Sequence, residues 1–108
     1  MSEVDQGTND ALLQFDQEML DSGAGIPATN RFTLKVNGVA RTVTAVQIIN
    51  DDPPNLALLD LTFDGAPIAA GDTVTVRYAR PLTSGTAQLQ DPDGFKTASF
   101  GPVTLTVV

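Results

Sequence analysis

The stretch RFTLKVNGVARTV, residues 31–43, contains a complete strand–turn–strand signal. Its apolar residues alternate with polar ones, which is typical of a strand with one face on the core and the other in water. Asn37 and Gly38 follow the first strand, and both tolerate the positive φ of a type I′ turn. We therefore expect a hairpin whose second strand runs from about Arg41 to Ile49.

Three further stretches, LDLTF (59–63), TVTVRY (73–78) and VTLTV (103–107), alternate in the same way. Between Ala45 and Val46 the apolar phase slips, which predicts a β-bulge. Prolines and glycines separate the alternating segments, so the strands are short and joined by turns. The sequence predicts an all-β fold, a two-sheet antiparallel β-sandwich.

One segment, FDQEMLDSG at residues 15–23, departs from the alternation. Asp16 is placed as an N-cap, helix-forming residues follow, and Gly23 is a stop signal. We expect one short helical turn here, at the edge of the sandwich. Residues 1–10 are polar and predict an N-terminal arm, which leaves residues 11–108 as a single domain.

Composition excludes several classes of function. The net charge is −7 with only six basic residues, too few and too scattered to neutralise nucleic-acid phosphates or an anionic membrane. The chain contains no cysteine and no histidine, which excludes disulfides, thiolate or imidazole metal sites and a Ser-His-Asp triad. Its apolar runs are far shorter than the ~20 residues that span a bilayer.

Three motifs, FTLKVNGVARTV (32–43), AAGDTVTVRY (69–78) and LQDPDG (89–94), resemble the SwmB-type immunoglobulin-like domain. Such domains occur as tandem repeats in large surface proteins of cyanobacteria and other bacteria. The resemblance extends from about Leu12 to the C-terminal residue. It implies an immunoglobulin-like sandwich and a structural or adhesive module, and it supplies no catalytic residues.

The segment LQDPDGF resembles the start of a calcium loop, because Asp91 and Asp93 precede Gly94. If Gly94 were the sixth position of an EF-hand, the first and twelfth would be Leu89 and Phe100, and neither can coordinate calcium. We interpret the segment as a turn chosen for its φ angles and side-chain-to-backbone bonds. An irregular calcium site at the two aspartates is the alternative. No other cofactor is expected.

Apolar residues in loops, in the N-terminal arm and in the last strand are the candidate contact residues. Loops on a rigid sandwich often carry binding residues, and an edge strand can extend a neighbour's sheet. The candidates are Val4, Pro53, Pro54, Ile68, Phe95 and Val107. The scattered acids and the absence of tryptophan argue against a glycosidase, and weak glycan binding is kept as a third hypothesis.

These observations predict a non-enzymatic protein that acts through protein–protein contacts. The chain starts at Met1 and its acidic N-terminus is not a signal peptide, which favours a free-standing subunit. The first hypothesis is therefore a decoration (cement) protein on a phage capsid, bound to the shell or to neighbouring copies as a homo-oligomer at the virion surface. The alternative is an immunoglobulin-like repeat of a bacterial adhesin, located outside the cell.

Overall fold

The computed structural model of the protein describes residues 2–50, 56–83 and 85–108. These residues form eight strands and two short 3-10 turns, Gly23–Gly25 and Thr29–Arg31. The strands are β1 (Glu3–Val4), β2 (Asp10–Gln14), β3 (Phe32–Val36), β4 (Val39–Arg41), β5 (Val43–Asn50), β6 (Ala57–Phe63), β7 (Val74–Tyr78) and β8 (Phe100–Val107). The predicted all-β sandwich is confirmed. No helix within the described ranges has the length and apolar character needed to cross a membrane.

The strands are hydrogen-bonded in the order β4-β3-β7-β8-β1-β2-β6-β5. We call β1, β2, β6 and β5 sheet A, and β4, β3, β7 and β8 sheet B. Neighbouring strands within each sheet are antiparallel, whereas β1 and β8 are parallel and join the two sheets along one seam. The resulting slab has Cα extents of 39 × 33 × 19 Å, and its thin dimension is that of two packed sheets.

The core lies between the sheets and is built from the alternating apolar residues of each strand. In β3, β6 and β7 every apolar residue at the predicted inward positions is buried. In β8 only Leu105 is buried, while Val103 and Val107 pack against the core from partly exposed positions. Fully burying one such side chain contributes about 1.5–3 kcal/mol, so this layer is the main source of stability.

The Asn37-Gly38 hairpin turn is confirmed, with φ angles of 53° and 80° at the two residues. The side chain of Asn37 also donates to a carboxylate oxygen of Asp72 at 2.9 Å and accepts from the Thr73 amide at 2.9 Å. The bulge predicted between Ala45 and Val46 is present nearby, as a register shift between Val43 and Ala45. The turn fixes the register of β3 and β4, but the predicted second strand from about Arg41 to Ile49 is wrong. The hairpin strand β4 ends at Arg41, and Val43–Asn50 pairs with β6 instead.

The helical turn predicted at residues 15–23 is wrong in position, because the segment is irregular up to the 3-10 turn that begins at Gly23. Met19 is buried, and the side chain of Asn50 bonds its backbone on both sides, accepting from the amide at 3.1 Å and donating to the carbonyl at 2.8 Å. The Leu20 amide donates to the carbonyl of Gln90 at 2.8 Å. These tertiary contacts satisfy the backbone and outweigh the weak helix preference of the segment.

The N-terminal residues belong to the sheet and do not form the predicted arm. Val4 is fully buried and pairs with Ala11 in β2 and with Val107 in β8. The backbone then bonds to Ile68, whose carbonyl accepts from the amide of Gly7 at 2.8 Å. One buried valine and the backbone hydrogen bonds to β2 and β8 hold this two-residue strand. The polar composition of residues 1–10 does not indicate it.

Tyr78 connects the core to the long segment between β7 and β8. Its ring is buried between Phe32 and Phe100, with centroid separations of 5.2 and 5.4 Å. The phenolic oxygen accepts a hydrogen bond from the buried amide of Leu89 at 3.1 Å. Burial raises the pKa of Tyr78, so the hydroxyl stays neutral around pH 7.

Removing the hydroxyl of Tyr78 should therefore lower the free energy of unfolding. Tyr78→Phe keeps the ring contacts but leaves the Leu89 amide buried without an acceptor, which costs about 1–3 kcal/mol of unfolding free energy. Urea denaturation at pH 7 measures the change. Thr104→Val, which removes an exposed hydroxyl from β8, is the matched control and should change stability by less than about 0.5 kcal/mol. Equal stability of both variants would contradict the assigned role of the tyrosine.

Candidate functional site

Charged residues are divided between the two sheets by sign. The strands of sheet A contain three acids and no base, and the strands of sheet B contain three bases and no acid. The acids are Glu3, Asp10 and Asp60, and the bases are Lys35, Arg41 and Arg77. Because the sheets form opposite sides of one slab, its two broad surfaces differ in charge.

The outer surface of sheet B, which we call the basic face, contains a shallow groove of ≈ 340 Å³ lined by Thr33, Lys35, Thr75, Arg77 and Pro102. In the β3–β7 register Thr33 is paired with Arg77, and Lys35 with Thr75. Both cationic residues are exposed. Across the described part of the chain, their side-chain nitrogens have neither a hydrogen-bond acceptor nor a carboxylate partner.

Arg41 has a different, structural position at the corner where β4 leads into β5. Its Nη1 donates to the carbonyls of Asp64 and Ala66, both at 3.0 Å. The carboxylate of Asp64 accepts from the Thr42 amide at 2.8 Å. Gly65 is required there, because a Cβ on it would overlap the guanidinium of Arg41. Arg41 therefore closes the sandwich, and Lys35 and Arg77 supply the available charge of the basic face.

The outer surface of sheet A, which we call the acidic face, has Asp60 at its centre. The register aligns Glu3, Leu12, Asp60 and Gln47 in one row across four strands. The neighbouring rows add Asp10 on one side and three partly buried or exposed residues on the other, Gln14, Leu58 and Ile49. A half-buried carboxylate thus has apolar, acidic and amide side chains as its neighbours.

Asp60 is the most electrostatically perturbed group on this face. Burial raises the pKa of its carboxyl, and the nearby Asp10 carboxyl raises it further. Its Oδ1 atom is buried without a hydrogen-bond donor, whereas Asp10 Oδ1 accepts from the Thr62 hydroxyl at 3.1 Å. A buried acceptor without a donor is unfavourable, so a cationic or amide donor from outside the domain would be stabilised there.

The segment Asp91–Gly94 is a turn, as predicted. Asp91 Oδ1 accepts from the amides of Asp93 and Phe95 at 3.0 and 2.9 Å, and the Asp91 carbonyl accepts from the Gly94 amide at 3.0 Å. The residues on either side, Gln90 and Lys96, form an antiparallel bridge. The side chain of Asp91 thus bonds the backbone of its own turn. Residues 2–50, 56–83 and 85–108 contain no cluster of three or more metal-binding acids.

The predicted contact residues have different positions in the structure. Val4 and Ile68 are 0% and 2% exposed, so their predicted exposure is wrong, and both belong to the core. Val107 is partly buried against the core. Phe95 is 74% exposed at the end of the Asp91 turn, as expected. Pro53 and Pro54 lie outside the described residues.

Sequence reasoning missed Lys35, Arg77 and Asp60 as a possible site. All three were assigned to the outward positions of their strands, but the outward residues were interpreted only as solvated. The sequence does not show which strands are neighbours in a sheet. The pairs β3 with β7 and β2 with β6 are adjacent in the structure but far apart in the sequence. The signal available in the sequence was that Lys35 and Arg77 are like charges at outward positions of two predicted strands.

Comparison with known proteins gives one family. The model of the SWM repeat family, described as "Putative flagellar system-associated repeat", matches residues 2–83. The match includes β1 to β7 and ends before β8. No curated protein and no solved structure matches the chain significantly. A repeat family of this kind favours a bacterial surface or flagellum-associated structural module over a virion protein.

The raised pKa of Asp60 predicts a pH effect on stability. Above pH 3.8, the ordinary pKa of an aspartate, the folded state holds more protons at Asp60 than the unfolded chain does. This group therefore lowers the unfolding free energy as the pH rises through the elevated pKa. Asp60→Asn should therefore raise the urea midpoint at pH 7 and leave it nearly unchanged at pH 3. The control Asp93→Asn, in the exposed turn, should show no such difference. The same gain from Asp60→Asn at both pH values would contradict this account.

The turn predicts a difference between its two aspartates. Asp91→Ala removes two side-chain-to-backbone bonds and should lower the unfolding free energy by about 1–2 kcal/mol, whereas Asp93→Ala should have little effect. Millimolar calcium should leave the unfolding temperature of the wild-type protein unchanged. A calcium-dependent rise in that temperature that both alanine variants abolish would instead establish a metal site.

Proposed function

Because the chain belongs to the flagellar system-associated repeat family, we propose that it is a non-catalytic, immunoglobulin-like repeat of an adhesin-type protein on the bacterial surface. The observation that carries this proposal is the family match over residues 2–83, which includes both sheets apart from β8. The absence of cysteine and histidine from the sequence is consistent with a module that does no chemistry.

The geometry supports a role in which the domain is a rigid element. The chain joins the sheets at both sides of the slab, through the β1–β8 pairing and through the corner held by Arg41. An apolar layer fills the space between the sheets and holds them together. The broad outer faces are left to interact with other molecules.

The phage-capsid hypothesis is not retained. It rested on the start at Met1 and on an N-terminus that is not a signal peptide, with residues 1–10 as a polar arm, but Glu3–Val4 form β1 and Val4 is buried. The family description names a flagellar system and no virion. The alternative given by the sequence, a repeat of a bacterial surface protein, is the better supported one.

Antibodies raised against this domain test the proposal on the bacterium that produces it. We expect them to label intact cells, and we expect protease treatment of intact cells to remove the epitope. In the same cells the native polypeptide should be several times heavier than 11.3 kDa on a denaturing gel. A cytoplasmic enzyme of the same cells is the control and should be labelled only after lysis. An epitope that resists protease until lysis would contradict a surface location.

A further inference from the structure

We propose that the basic face of one copy of this chain binds the acidic face of a second copy, an inference that rests on the proposed function as a repeat. The contact joins two different surfaces, so a bound pair still has one free acidic face and one free basic face. Such a heterologous contact extends from copy to copy and does not close at a dimer. It would join repeats of one polypeptide or of neighbouring polypeptides side by side.

The two faces have complementary charge pairs. On the basic face, Lys35 and Arg77 are diagonal neighbours on adjacent antiparallel strands, because Arg77 follows the partner of Lys35 by two residues. On the acidic face, Asp10 and Asp60 are neighbours along the opposite diagonal across β2 and β6, because Asp60 precedes the partner of Asp10 by two residues. Diagonal neighbours of this kind are about 7–8 Å apart at Cα, so two cations can meet two carboxylates at once.

The unpartnered oxygen of Asp60 identifies the centre of the contact. Among the residues that the structure describes, Oδ1 of this carboxylate has no hydrogen-bond donor, and the cationic groups of Lys35 and Arg77 have no acceptor. Within this described part of the chain, the acidic face thus has an acceptor without a donor, and the basic face has donors without an acceptor. A charge-assisted hydrogen bond to a desolvated carboxylate is stronger than one between neutral groups.

Shape and apolar content also fit a sheet-to-sheet contact. The broad sides of the slab extend over 39 × 33 Å, which exceeds the ~800 Å² per partner of a standard interface. Around Asp60 the acidic face has Leu12, Leu58 and Ile49, of which Ile49 is 37% exposed. Opposite them the groove offers the methyl groups of threonines and the ring of Pro102. Burial of these groups would exclude water from the charge pairs.

Charge reversal tests the proposal directly. Lys35→Glu with Arg77→Glu makes both faces acidic, and Asp10→Lys with Asp60→Lys makes both faces basic. In sedimentation equilibrium at low salt, up to the ~1 mM that linked copies experience, the wild-type protein should associate. Each variant alone should associate at least about tenfold more weakly, because like charges then face each other. A mixture of the two variants should regain association, since one acidic and one basic face are restored.

Controls separate a specific contact from a general charge effect. Arg80→Glu with Lys96→Glu lowers the net charge by the same amount in the segment between β7 and β8. Because the two cations donate to the buried Gln88 and Gln90 there, its stability is measured first, and the folded variant should associate like the wild type. Circular dichroism checks that each variant folds. If Asp60→Lys prevents folding, Glu3→Lys with Asp10→Lys replaces the basic variant and leaves the half-buried position intact.

The outcomes distinguish this proposal from the proposed function. A wild-type protein that stays monomeric at ~1 mM and low salt would overturn the face-to-face contact, as would a mixture that associates no better than its components. Equal weakening by the Arg80 and Lys96 control would overturn it too. Surface labelling of the bacterium could still succeed in each of these cases, and the chain would then be a surface repeat whose copies do not dock.

Discussion

The packing of sheet A on sheet B is the constraint on which the rest of the structure depends. Residues of the two inner faces meet in a single apolar layer that includes Leu34, Leu59, Leu61, Val76 and Tyr78, all fully buried. Because strand side chains alternate with a period of two, this layer also determines which residues point outward. A register shift of one residue would expose the core and bury the charges of both faces. The functional surfaces are therefore defined by the same pairing that forms the core.

An outward residue takes its importance from its neighbours on other strands. A carboxylate at position 60 is ordinary in sequence, but the sheet places it beside Asp10 and among half-buried leucines, where its pKa rises and one oxygen lacks a donor. Lys35 and Arg77 lie together on the other side, and no acid among the described residues is paired with them. A domain that keeps its opposite charges apart has lost little stability, because exposed ion pairs contribute only about 0–1 kcal/mol. The proposed contact between copies would use these two surfaces.

Much of the fold could be predicted from the sequence because its signals are local. Alternation identified the strands, Asn37-Gly38 gave the hairpin, and the Asp91 turn followed from its side-chain chemistry. Residues 15–23 were misassigned because the hydrogen bonds between Asn50 and Met19, 31 positions apart, override a weak local preference. The strand at Val4 was missed because two residues have no periodicity. The candidate site required the strand order, which no local pattern contains.

In the proposed contact between copies, both faces of the slab take part. The most direct measurement is a series of amide correlation spectra of the ¹⁵N-labelled chain at increasing concentration and low salt. Amides around Lys35, Thr75 and Arg77 should shift together with those around Leu12 and Asp60, with one common concentration dependence. Shifts confined to one face, or centred on the exposed Phe95, would contradict the account.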